Sequence, residues 1–116
     1  MLADDREQGA VGTGAGRSTG RTLFDDALAG GARALAQTAV GLVTGARADI
    51  VTLDTAHPSL AGRQGDAAID GWIFAAGSGA IDCVWAGGDK VVEGGRHRLR
   101  QAARERFNAS MRRLVA

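Results

Sequence analysis

The sequence predicts an α+β fold in which helices flank a small sheet, and three observations support this prediction. Apolar residues recur at helical spacing over residues 22–38 and again over 99–115. Short apolar runs typical of strands lie between these segments, at 48–54 and 80–93. The chain has 116 residues, fewer than the roughly 250 of a complete (β/α)₈ barrel, so a complete TIM barrel is excluded.

The amino-terminal region divides into two parts. Residues 1–21 are rich in glycine and contain almost nothing apolar, which predicts a disordered lead-in. The structured segment is expected to cover residues 22–116, beginning with a helix over 22–38. Thr22 is the predicted N-cap of this helix, with Asp25 and Asp26 in its favourable first turn.

The remaining elements follow in order along the chain. Residues 48–54 form a short apolar run bounded by acidic residues, which indicates a buried strand. A short helix is predicted over 66–76. Residues 80–93 predict a hairpin, because the Gly87-Gly88 dipeptide between its two strand-like runs suits the positive φ angles of a tight turn. An amphipathic helix over 99–115 completes the predicted fold.

Composition excludes several classes of function. The formal net charge is +1, so the whole chain has no electrostatic drive toward nucleic acid or an anionic membrane. Its single cysteine, Cys83, cannot form an internal disulfide, and no secretory signal or membrane-spanning run is present. The sequence therefore predicts a soluble, cytoplasmic protein.

Five residues invite a catalytic or metal-binding interpretation. No base or electropositive setting lies near Cys83 in the sequence, which favours a buried structural thiol over a nucleophile. His57 and His97 are 40 residues apart and form no His-x-His or His-x-x-x-His pair, which favours loop positions over ligands. Asp49 and Asp54 bracket the first strand, where bonds to backbone N–H groups are favoured over a shared proton.

Two short motifs favour unremarkable interpretations. The run Gly12 to Thr19 resembles a phosphate loop, but it lacks the Gly-Lys-Ser/Thr of a Walker loop and has Arg17 where a dinucleotide fingerprint needs glycine. A flexible linker is therefore favoured. Asn108-Ala109-Ser110 matches a glycosylation acceptor, which without secretion is expected to remain unmodified.

The carboxy-terminal helix is strongly basic. From residue 96 onward, seven arginines face one glutamate, a local excess of +6. Such a helix can bind phosphates, so a small nucleic-acid or acidic-partner binding module is the alternative function. Phe107 and Met111 lie on the apolar stripe and not among the arginines, so no base-stacking surface is indicated. A solvated basic face is favoured over nucleic-acid binding.

Two separated motifs resemble the amidohydrolase superfamily. Residues 41–54, GLVTGARADIVTLD, resemble its G-x-x-x-G-x-x-A-D-hydrophobic-V-x-L-D stretch. Residues 81–97, IDCVWAGGDKVVEGGRH, are similar to its V-x-x-V-W-V-x-G-x-x-V-V-x-x-G-R-H hairpin. The intervening residues 60–66 and 70–75 are most similar to formimidoylglutamate deiminases of bacterial histidine degradation.

This resemblance implies a fold and a reaction. The predicted strands would form part of the carboxy-terminal β-sandwich of such an enzyme, and the helix over 22–38 would be the last helix of its barrel. The family implies a divalent metal ion, commonly zinc, that activates water to release ammonia from formimidoylglutamate and leave formylglutamate. The family's metal-ligand and catalytic positions match nothing in this chain, so no catalytic, cofactor or metal residue is assigned.

The same resemblance makes this chain a carboxy-terminal fragment, structural and inactive when alone. Its apolar faces, including Trp72, Ile73, Trp85, Phe107 and Leu114, are then expected to remain partly exposed unless another chain covers them. The predicted partner is the missing metal-binding barrel, and a homo-oligomer is the other way to cover these faces.

Overall fold

The computed structural model describes residues 17–116 of the chain. Within them it contains three α-helices and one four-stranded antiparallel sheet, and it closes no barrel, which confirms the predicted α+β class. The helix over Asp66–Gly71 continues directly into a π-helical turn and then a 3₁₀ turn. The elements are α1 (Thr19–Ala34), β1 (Ile50–Leu53), α2 (Asp66–Gly71), the π-helical turn (Trp72–Ala76), the 3₁₀ turn (Gly77–Ala80), β2 (Ile81–Ala86), β3 (Asp89–Glu93), β4 (Arg96–His97) and α3 (Arg100–Val115).

Helix α1 begins earlier than the sequence predicted. Ser18, not Thr22, is the N-cap, and its Oγ accepts a hydrogen bond from the backbone N of Arg21 at 3.1 Å. Residues 19–21, assigned to the lead-in over 1–21, therefore belong to the helix. Residues 1–16, including most of the glycine-rich run, lie outside the described residues.

Helix α1 also ends four residues before the predicted end at residue 38. Ala36 has a φ of 53°, and the N–H groups of Ala36 and Gln37 donate to the carbonyls of Arg33 and Ala32 at 3.2 and 2.8 Å. This is a Schellman motif, which satisfies the last carbonyls of a helix and stops it. Glycine is the usual residue at the left-handed position, so alanine there provided no stop signal.

The sheet has the order β1-β2-β3-β4, and two tight turns connect its last three strands. Gly87 and Gly88 join β2 to β3 with φ angles of 60° and 89°, as the hairpin prediction requires. A second glycine pair, Gly94-Gly95, joins β3 to β4. Glu93 pairs with Arg96 across this turn. The sequence prediction ended the hairpin at residue 93 and missed β4.

Strand β1 is shorter than the predicted 48–54, and its pairing with β2 is irregular. The register shifts between Val51 and Leu53. At this shift the backbone N of Cys83 donates to Oγ1 of Thr52 at 3.1 Å, so the Thr52 hydroxyl takes the place of a backbone carbonyl as hydrogen-bond acceptor. The flanking residues still contact β2 and its turns, since Asp54 N donates to the carbonyl of Ala80 at 2.7 Å.

Few apolar side chains of the described residues are buried. The buried apolar residues are Leu60, Ala80 and Cys83. Phe24 of α1 packs against Trp72 of the π-helical turn, with the ring centroids 5.8 Å apart. Among residues 17–116, every helix is too short or too polar to traverse a lipid bilayer.

Candidate functional site

Both histidines hold local turns through Nδ1. In His57 this atom accepts a hydrogen bond from the backbone N of Ser59 at 3.2 Å. In His97 it accepts one from the backbone N of Leu99 at 3.0 Å. Each imidazole therefore accepts a hydrogen bond from the backbone N–H two residues later, which stabilises the local turn.

The acidic residues and the cysteine do not converge with the histidines on one centre. Among residues 17–116, no three His, Cys, Asp or Glu side chains form a group that could hold a metal ion. A divalent metal needs three or four such ligands directed at one point. The described residues therefore do not fit the metal ion that the family resemblance implies.

Cys83 lies in the centre of β2 and is 8% exposed. Its neighbours across the sheet are strand residues, and its backbone N–H is satisfied by Thr52. A thiol in this setting packs as a small apolar group.

Asp49 and Asp54 bind backbone N–H groups on either side of β1, as the sequence predicted. One carboxylate oxygen of Asp49, Oδ1, accepts from the backbone N of Gly87 at 2.7 Å and from Nε of Arg47 at 2.9 Å. Oδ1 of Asp54 accepts from the backbone N of Ala56 at 2.9 Å. Asp49 thus fastens the chain before β1 to the β2–β3 turn, and the Gly87 N–H, followed by Arg47, lowers the pKa of its carboxyl group.

The lowered pKa of Asp49 predicts an acid-dependent loss of stability. Because the folded pKa lies below the unfolded one, the contribution of Asp49 is complete above about pH 4 and disappears as the pH falls through the folded value. We expect urea unfolding of the native chain to lose more stability between about pH 5 and pH 3 than unfolding of Asp49→Asn.

Asp89→Asn, which alters an exposed aspartate of β3 beside the same turn, is the matched control: it leaves the Asp49–Gly87 hydrogen bond in place, so the acid-dependent loss of stability should remain. Equal acid sensitivity of the native chain and Asp49→Asn would show that this contact contributes nothing.

The junction of α1 and α2 is held by two carboxylates of α2. Asp66 and Asp70 lie one turn apart in or beside α2, and both accept hydrogen bonds from the start of α1. The backbone N of Ser18 donates to Oδ2 of Asp66 at 3.2 Å, and the backbone N of Gly20 donates to Oδ1 of Asp70 at 2.9 Å. Two carboxylates therefore face the positive end of the α1 dipole.

This junction was missed by sequence analysis. Asp70 is 6% exposed, and a Cβ at position 20 would lie 2.5 Å from its Oδ1. The spacing of Asp66 and Asp70 by four residues placed them on one helical face, which was the available signal. Their partner segment lay within the predicted lead-in, so nothing local linked the two.

Many large apolar side chains of the described residues are exposed. Trp72, Ile73 and Trp85 are half-buried, while Phe107 and Leu114 are 64% and 76% exposed, as expected for faces without a cover. The other large apolar residues that are exposed are Phe24, Leu28, Leu35, Val40, Leu42, Val43, Val51, Phe74, Leu99, Met111 and Val115. An apolar surface of this extent usually marks contact with more protein.

Comparison with solved structures identifies the fold. An amidohydrolase from Brucella melitensis superposes on 84% of this chain with a TM-score of 0.72 and 46% sequence identity, and the match covers 21% of that protein. The chain belongs to the amidohydrolase superfamily and corresponds to the C-terminal part of its members. No family model matches the chain.

A curated amidohydrolase relative is similar in sequence as well. Formimidoylglutamate deiminase from Pseudomonas aeruginosa is 49% identical over 78 residues, which are 67% of this chain and 17% of the deiminase. The chain therefore spans about one sixth of the length of this relative. The amidohydrolase resemblance stated from residues 41–54 and 81–97 is confirmed.

Proposed function

We propose that this chain supplies the C-terminal part of a C–N hydrolase of the formimidoylglutamate deiminase type, which releases ammonia from formimidoylglutamate and leaves formylglutamate. The observation that supports this most is the 49% identity over 78 residues with the Pseudomonas aeruginosa deiminase. An identity of this level within one segment favours a shared architecture around the same reaction. The cytoplasm, where a single unpaired cysteine stays reduced, is the proposed location.

The proposed role of the described residues is structural. The sheet and the α1–α2 pair would complete a small accessory layer, and the exposed apolar residues of α1, Phe24 and Leu28, would pack against the metal-binding barrel. A divalent metal ion bound by that barrel would activate the attacking water. Residues 17–116 hold no cluster of three possible ligands for it, so this part of the chain is proposed to be inactive alone.

A chimera tests this proposal directly. Residues 17–116 would replace the matching C-terminal segment of the Pseudomonas aeruginosa deiminase, and ammonia release from formimidoylglutamate would be measured. We expect an active chimera, because the transplanted residues should restore the packing of the barrel. The isolated chain should release no ammonia.

Two matched variants show whether the exposed apolar face of α1 contacts the barrel and supports its activity. Leu28→Asp places a charge on the proposed contact, whereas Ala29→Asp places the same charge about 100° away around the helix. We expect Leu28→Asp to reduce the activity of the chimera at least tenfold, an effect of about 1.4 kcal/mol or more, while Ala29→Asp has little effect. A folded, metal-loaded chimera without deiminase activity would contradict the proposal, and so would ammonia release by the isolated chain.

If the barrel is encoded as a separate polypeptide, the two chains form a split enzyme. Mixing them should then give ammonia release that neither chain shows alone. A stable complex of the two chains that releases no ammonia would contradict the split-enzyme hypothesis.

A further inference from the structure

We draw no further inference here: the strongest candidate, the side-chain cluster of Thr19, Asp66 and Asp70 at the start of α1, is a helix N-terminus whose two carboxylates already accept backbone N–H groups, and nothing among residues 17–116 points to a ligand there.

Discussion

We expect Asp70→Ala to lower the free energy of unfolding by about 2–4 kcal/mol. The Asp70 carboxylate is buried and accepts the backbone N–H of Gly20 at the start of α1. Alanine would leave that N–H without its acceptor in a buried position and would remove a negative charge from the positive end of the helix dipole. Urea unfolding followed by circular dichroism would measure the loss.

Two further variants make this result specific. Asp70→Asn keeps an oxygen acceptor of the same shape but loses the charge, so roughly half of the loss is expected. Asp26→Ala removes an exposed aspartate of α1 and should change stability by less than about 0.5 kcal/mol. If Asp70→Ala is as stable as Asp26→Ala, then the junction of α1 and α2 does not hold the fold together. Should Asp70→Ala fail to fold, the comparison of Asp70→Asn with Asp26→Ala gives the same answer.

The parts of the fold that the sequence predicted are those fixed by local chemistry. The β2–β3 turn followed from Gly87-Gly88, because two consecutive residues with positive φ need glycine and define the hairpin register. The same argument holds for Gly94-Gly95, whose φ angles are 56° and 74°. It would have predicted β4, had the pair been interpreted as a second turn and not only as part of the family motif.

The parts that were missed depend on contacts distant in sequence. Nothing near Gly20 indicates that Asp70, 50 residues later, supplies its hydrogen-bond acceptor. The end of α1 was missed for a different reason, since Ala36 adopts a left-handed conformation in which glycine is the expected residue. The surface of α3 was predicted as an amphipathic face, but only the structure shows that none of its residues is buried.

Gly71→Ala is expected to destabilise the fold, because a methyl group there meets a backbone atom. A Cβ at this position would lie 2.6 Å from the backbone carbonyl oxygen of Ser59 and 3.1 Å from Cδ2 of Leu60. Gly71 has a helical φ of −61°, so glycine is needed for the close approach and not for its conformational freedom. The loop that contains Ser59 would have to move away from α2, which separates the buried Leu60 from its packing.

Overpacking of this kind costs about 1–3 kcal/mol, and a backbone obstacle places Gly71→Ala at the upper end. Unfolding in urea would be followed by tryptophan fluorescence, since Trp72 is adjacent. Gly31→Ala is the control with the opposite expected sign: nothing lies within 4 Å of that position in α1, so alanine should stabilise the helix by up to about 1 kcal/mol. If both variants are stabilised, the loop before α2 is not packed against Gly71, and the small core around Leu60 is not what joins this loop to the helices.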